Sequence, residues 1–255
     1  MVDTPMPLTA HLAELRSRLI WCMVALVVGF SVCYAFSDKI VAALKFPPAL
    51  VGKPIEVPLQ IIAPAEAFTT QLWVSFIAGL FLALPVLLHQ LWKFVAPGLF
   101  EHEKRYTVPF IIGSAALFYS GGLVFYLVLS PIMNFLFSYD AKGLIKVQLS
   151  VRYHVDFCIR LMIAFGLVFQ LPIVAAFLTQ LGLLSSRLLV KNFRYAIVLI
   201  LIAAAVLTPS PDPITFVFLA MPMLLPYGVS ILVTRGVETH RGRRQVESHN
   251  TAHDD

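Results

Sequence analysis

Residues 91–105 read LWKFVAPGLFEHEKR. The stretch joins two long apolar runs, about 70–92 and 107–130, each close to the roughly 20 residues needed to cross a bilayer. Pro97-Gly98 breaks the chain between them. Lys93, Lys104 and Arg105 mark the connector as cytoplasmic, because basic residues hold membrane loops on that side. The chain therefore leaves the membrane and re-enters it here. Composition agrees: 59% of the 255 residues are hydrophobic and only 13% are charged, against about 25% charged in soluble domains. Mean hydropathy is +0.83.

Working outward from this connector, the pattern predicts an all-α integral membrane protein with six transmembrane helices. The spans fall at about 19–36, 70–92, 107–130, 154–179, 194–207 and 214–233, with the third running on past Pro131 as a short amphipathic extension. The first is a retained span, since no small-residue cleavage site follows it. Lys and Arg are divided 12 to 6 between the two sides, with Arg160 inside the fourth span. That bias places both termini in the cytoplasm of a multi-pass cytoplasmic-membrane protein. Residues 1–234 form one transmembrane domain, and the polar tail 235–255 is expected to be disordered. The outer connectors are long and structured. In APAEAF, Pro64 suits a first helical position, and Glu66 reads either as a cap on that helix or as a functional carboxylate. The fifth span, Phe193–Leu207, has 15 residues, about 22 Å of helix against a core of about 30 Å. The sixth contains Pro222 and Pro226, which predict a kink. Ser75, Gly79 and Ala83 form a stripe of small residues that lets another helix approach the second span.

The motifs of soluble chemistry are missing. There is no GxxxxGK[ST], no GxGxxG and no HExxH, and Cys22, Cys33 and Cys158 form no metal or disulfide framework. No cofactor, no metal, no nucleic acid and no enzyme activity are expected. What stands out is polar residues at depth: Arg160, His89 and Gln170, the last beside Pro172. They also leave open a proton- or ion-coupled secondary transporter, although no internal repeat is visible and midplane acids are missing.

Two stretches carry candidate binding residues. In the N-terminal helix, 8–18, Leu8, Leu12, Leu15 and Leu19 share an apolar face suited to the membrane surface. Glu14 either pairs with Arg18 at i+4 or serves an external cation. In the opening connector Glu101 has Arg105 at i+4. Glu103 has Leu99, Phe100, Tyr106 and Thr107 at its helical neighbours, so it is the better acceptor for a charge brought by another molecule. Phe94 and Phe100 supply apolar surface nearby.

HLAELRSRL (11–19), PAEAF (64–68), FVAPGLFEHEKR (94–105), AFGLVFQLPIV (164–174) and LTPSPDP (207–213) together resemble the motifs of the TatC family, in family order and over nearly the whole chain. TatC is the polytopic subunit of the twin-arginine protein translocase. The resemblance implies a receptor for signal peptides bearing paired arginines, export of folded proteins driven by the proton-motive force, TatA-like and TatB-like single-span partners, contact with membrane lipid, and self-association in a larger complex. It implies signal-peptide binding by Glu14, with Leu12 and Arg18 of the same motif, and by Phe94 and Glu103. It further implies a functional role for Pro48 in the first outer loop, partner docking near Thr208 and Thr215, and a role for the acidic Asp212. Many relatives carry an acid where Gln170 stands, so a titrating role there is absent from this chain.

Overall fold

The computed structural model describes residues 8–47, 56–95, 107–138, 148–207 and 212–251. Pro48, Glu101, Glu103 and Thr208 lie outside the described residues. The chain forms two compact units, and the helices Thr107–Ser138 and Val151–Val168 contribute a segment to each. Among the described residues five stretches are long and apolar enough to cross a membrane: Leu12–Ala35, Pro64–Phe94, Val108–Ser138, Val151–Gln180 and Pro213–Thr239. The remaining predicted span is the shorter apolar helix Phe193–Leu207.

The first unit holds α1 (Leu8–Ala35), α2 (Ser37–Lys45), α3 (Pro64–Val95) and the first parts of α4 (Thr107–Ser138) and α5 (Val151–Val168). Residues 8–28 contain neither Gly nor Pro, so the surface helix expected at 8–18 and the first span are one uninterrupted helix. α1 lies antiparallel along α3, and the small stripe is the reason. Ser75 and Ala83 are buried. Between them a Cβ placed on Gly79 would lie 2.5 Å from the Phe30 amide nitrogen, and one on Gly29 would lie 2.5 Å from the Gly79 carbonyl oxygen. The two backbones touch, which only glycine permits. Trp92 then donates from Nε1 to Ser114 Oγ at 3.1 Å and stacks on Phe110 at 5.0 Å.

A two-residue parallel pair, β1 (Leu59–Gln60) with β2 (Leu149–Ser150), ties the two long connectors together. Val57, fully buried, donates its amide to the Lys45 carbonyl at 3.0 Å at the end of α2. The described ends of these connectors, 56–63 and 148–150, are held by these bonds.

The second unit holds residues 120–138 of α4, the rest of α5, α6 (Leu171–Gln180), α7 (Ser186–Lys191), α8 (Phe193–Leu207) and α9 (Pro213–Thr251). Phe125, Leu129, Phe165 and Met223 are essentially inaccessible here. Leu199, Val206, Met221 and Leu232 are more than 60% exposed, a surface that suits lipid and not water. Buried hydroxyls bond back along their own helices, Thr179 to Ala175 O at 2.7 Å and Ser230 to Pro226 O at 2.8 Å. That satisfies them where no water reaches.

Three elements gain detail. The fourth span, Val151–Gln180, is built of two helices, because Pro172 has no amide to give Val168 and the α-helical ladder stops at Phe169–Gln170. Pro222 and Pro226 lie inside α9; each removes a single bond, and the turns on either side persist. From Arg235 the chain continues α9 to Thr251. No proline follows Pro226, and once a helix is nucleated a polar sequence extends it at little cost.

Candidate functional site

In the first unit a groove with charged residues in its lining lies where the beginning of α1 meets the end of α3. It is an open groove of about 640 Å³ lined by Glu14, Ser17, Arg18, Trp21, Gln90 and Lys93. The Gly29–Gly79 contact places it: two antiparallel helices locked there bring Arg18, eleven residues before Gly29, level with Gln90, eleven after Gly79. Arg18 donates from Nε to Glu14 Oε1 at 3.0 Å, and its Nη2 makes a closer contact to the same oxygen. Its Nη1 lies 3.5 Å from Gln90 Oε1. Glu14 is thus paired within its own helix, the more local of its two readings. Leu12 is 63% exposed on the same helix. Phe94, half-buried, follows Lys93 at the end of α3. The groove therefore gathers Glu14 and Arg18 and sits beside Phe94. Gln90, Lys93, Trp21 and Ser17 were not singled out from sequence; the Gly79 stripe that fixes the helix register is the signal that leads to them.

Glu66 resolves differently. It stands at the third position of α3, and its Oε2 accepts from the Ile62 amide at 2.7 Å and from the Ala63 amide at 3.1 Å. The bond to Ala63, the residue before the helix, is one half of a capping box. Its Oε1 accepts from the Arg152 amide at 3.0 Å and from the Ser150 hydroxyl, at the start of α5. One carboxylate, 5% exposed, therefore closes the N-terminal turns of two helices, where the positive end of each macrodipole favours it.

At the start of α9, Asp212 Oδ1 accepts from the Thr215 amide at 2.7 Å, an N-cap before Pro213 in the first helical position. Thr215 is wholly buried, and its Oγ1 has no hydrogen-bond partner among the described residues. Gln170 is half-buried at the α5–α6 junction. Its backbone carbonyl receives the amides of Ile173 and Val174 at 3.1 and 3.0 Å, and its side chain makes no cap bond. Arg160 is exposed on α5.

Cys22, Cys33 and Cys158 are free thiols. Among the described residues no cluster of His, Cys, Asp or Glu is arranged to hold a metal.

These features define a multi-pass α-helical membrane protein with a charged groove at one end of a fixed helix pair. The family model for the Sec-independent protein translocase protein TatC matches residues 10–222. The chain is 41% identical over 244 residues to the Sec-independent protein translocase protein TatC of Magnetococcus marinus, covering 96% of this chain and 89% of that one. It is 36% identical over 231 residues to that of Campylobacter jejuni, covering 90% and 94%. A crystal structure of the twin-arginine translocase receptor TatC in DDM matches with a TM-score of 0.76 at 34% identity, over 88% of this chain and 99% of that one. The chain belongs to the TatC family of protein translocase subunits. The secondary-transporter reading is set aside by that membership.

Proposed function

We propose that this protein is the receptor subunit of a twin-arginine translocation system in the cytoplasmic membrane. It crosses six times, α8 included, with both termini in the cytoplasm. It binds signal peptides carrying paired arginines and, with TatA-like and TatB-like single-span partners and further copies of itself, passes folded proteins across the membrane using the proton-motive force. It works by binding and rearrangement, without covalent chemistry or cofactor. The observation that carries this reading is the α1–α3 groove, with Glu14 in its lining and Phe94 at its edge, in a member of this family.

The chemistry favours arginine over lysine. A guanidinium presents a planar fork of donors to a carboxylate, whereas an ammonium is a compact, strongly hydrated point charge. Glu14 and Glu103 offer two such acceptors, with Leu12 and Phe94 as apolar contact for the neighbouring signal residues. Partner helices dock near Thr208 at the outer turn. Pro48 and Asp212 shape that outer surface, and buried Thr215 contributes through the seating of α9. Gln170 offers a hydrogen-bonding group at depth without titrating.

Removing one of the two acceptors tests the reading. A hydrogen bond to a charged group is worth about 1.5–3 kcal/mol, so Glu103→Gln should weaken binding of a twin-arginine signal peptide roughly 10- to 150-fold. Equilibrium binding to the purified receptor in lipid nanodiscs measures it. An affinity within twofold of the parent would remove Glu103 from the site.

A further inference from the structure

Resting on the receptor reading above, we propose that Arg18 is a resident stand-in for a signal-peptide arginine. Its guanidinium sits on Glu14, and Gln90 is the acceptor that holds it once an incoming guanidinium takes Glu14 over.

The geometry carries the idea. The guanidinium of Arg18 spans two acceptors on two helices. Two of its nitrogens meet Glu14 Oε1 on its own helix. A third lies 3.5 Å from Gln90 Oε1 on α3, at the outer limit of hydrogen-bond length. The contact to Glu14 is made and the contact to Gln90 is slack. Turning the Arg18 side chain toward α3 exchanges one acceptor for the other. No backbone motion is required, because α1 is held against α3 at Gly29 and Gly79. The groove also contains Lys93, so a released Arg18 needs a neutral acceptor that tolerates a neighbouring cation, and Gln90 is one.

The consequence is a threshold. A ligand that needs Glu14 sees only the fraction of receptors in which Arg18 has let go, and its apparent affinity falls by that fraction. The factor is the same for an Arg-Arg and a Lys-Lys peptide. Discrimination between them is therefore left to the carboxylates, while Arg18 sets the absolute strength below which stray cationic segments fail to bind. The Arg18 and Glu14 side chains are 19% and 24% exposed, so water screens part of the pair. An i,i+4 ion pair that is partly shielded corresponds to a factor of roughly 1.5–5.

The test is anisotropy of a fluorescent signal peptide bound to the full receptor in nanodiscs. Arg18→Gln should tighten the Arg-Arg and Lys-Lys peptides by the same factor, roughly 1.5- to 5-fold. Arg18→Lys keeps the charge and should tighten both by a smaller factor, which excludes a mere change in net charge. Gln90→Leu should weaken binding in the parent and have no effect in the Arg18→Gln background. Weaker binding by Arg18→Gln, or a Gln90→Leu effect of equal size in both backgrounds, would overturn the proposal. Glu14→Gln separates the two levels. If it leaves the Arg-Arg peptide bound as tightly as before, the receptor site itself is misplaced. If it weakens binding while neither Arg18 variant tightens it, only the stand-in role falls.

Discussion

Glu66→Ala is expected to destabilise the protein by about 3–5 kcal/mol. The carboxylate receives four donors: the amides of Ile62, Ala63 and Arg152 and the hydroxyl of Ser150. Each bond to a charged group contributes about 1.5–3 kcal/mol, and donors left buried without an acceptor carry a further penalty. Neighbouring bonds are not additive, so the total falls below their sum. Glu66→Gln should lie between, because one amide oxygen cannot replace two carboxylate oxygens and the NH₂ group adds donors to a place already crowded with them. Thermal unfolding in detergent micelles reads the effect. Ser150→Ala should then cost much less in the Glu66→Ala background than in the parent. A Glu66→Ala variant as stable as the parent would show that the two connectors are held by something else.

The second large effect is expected at Gly79. A side chain there meets the Phe30 amide nitrogen at 2.5 Å, the Phe30 Cα at 2.7 Å and the Gly29 carbonyl carbon at 2.8 Å. All three are backbone atoms, so no rotamer change makes room and the helices must separate. Overpacking a well-filled interior typically costs 1–3 kcal/mol and more where nothing can yield. Gly79→Val is expected to cost about 3 kcal/mol or more and to reduce signal-peptide binding as well, since Arg18 and Gln90 would no longer be level. Gly228→Ala is the control: nothing lies within 4 Å of its added Cβ, and alanine is the better helix former by about 1 kcal/mol. It should be neutral or stabilising. Retained stability and binding in Gly79→Val would mean that the α1–α3 contact does not set the groove.

Sequence alone was informative where a signal is local. α8 matches its predicted limits because Asn192 precedes it and a proline-rich turn follows Leu207. The Ser75–Gly79–Ala83 stripe announced a close helix approach, though not that Gly29 would be its partner. Glu66 was ambiguous because half of its partners, Ser150 and Arg152, are 84 and 86 residues away. Spacing along one helix says nothing about a donor on another. Gln90 was missed for the same reason, its contact with Arg18 being 72 residues distant. Past Arg235 the composition is polar, and a helix already formed extends through such residues to Thr251. There Glu238 accepts from the Ser186 amide at 2.9 Å and from its hydroxyl at 2.5 Å, capping α7 from a distance no local pattern reports.

The central claim is that the α1–α3 groove receives the paired arginines of a signal peptide. Site-specific photo-crosslinking tests it most directly. A photoreactive residue is placed at Ser17 or Trp21 in the groove lining, and a precursor with an Arg-Arg signal is compared with its Lys-Lys variant in native membranes. The account predicts an adduct with Arg-Arg that is lost with Lys-Lys. Equal adducts with both precursors, or none with Arg-Arg from either position, would contradict it.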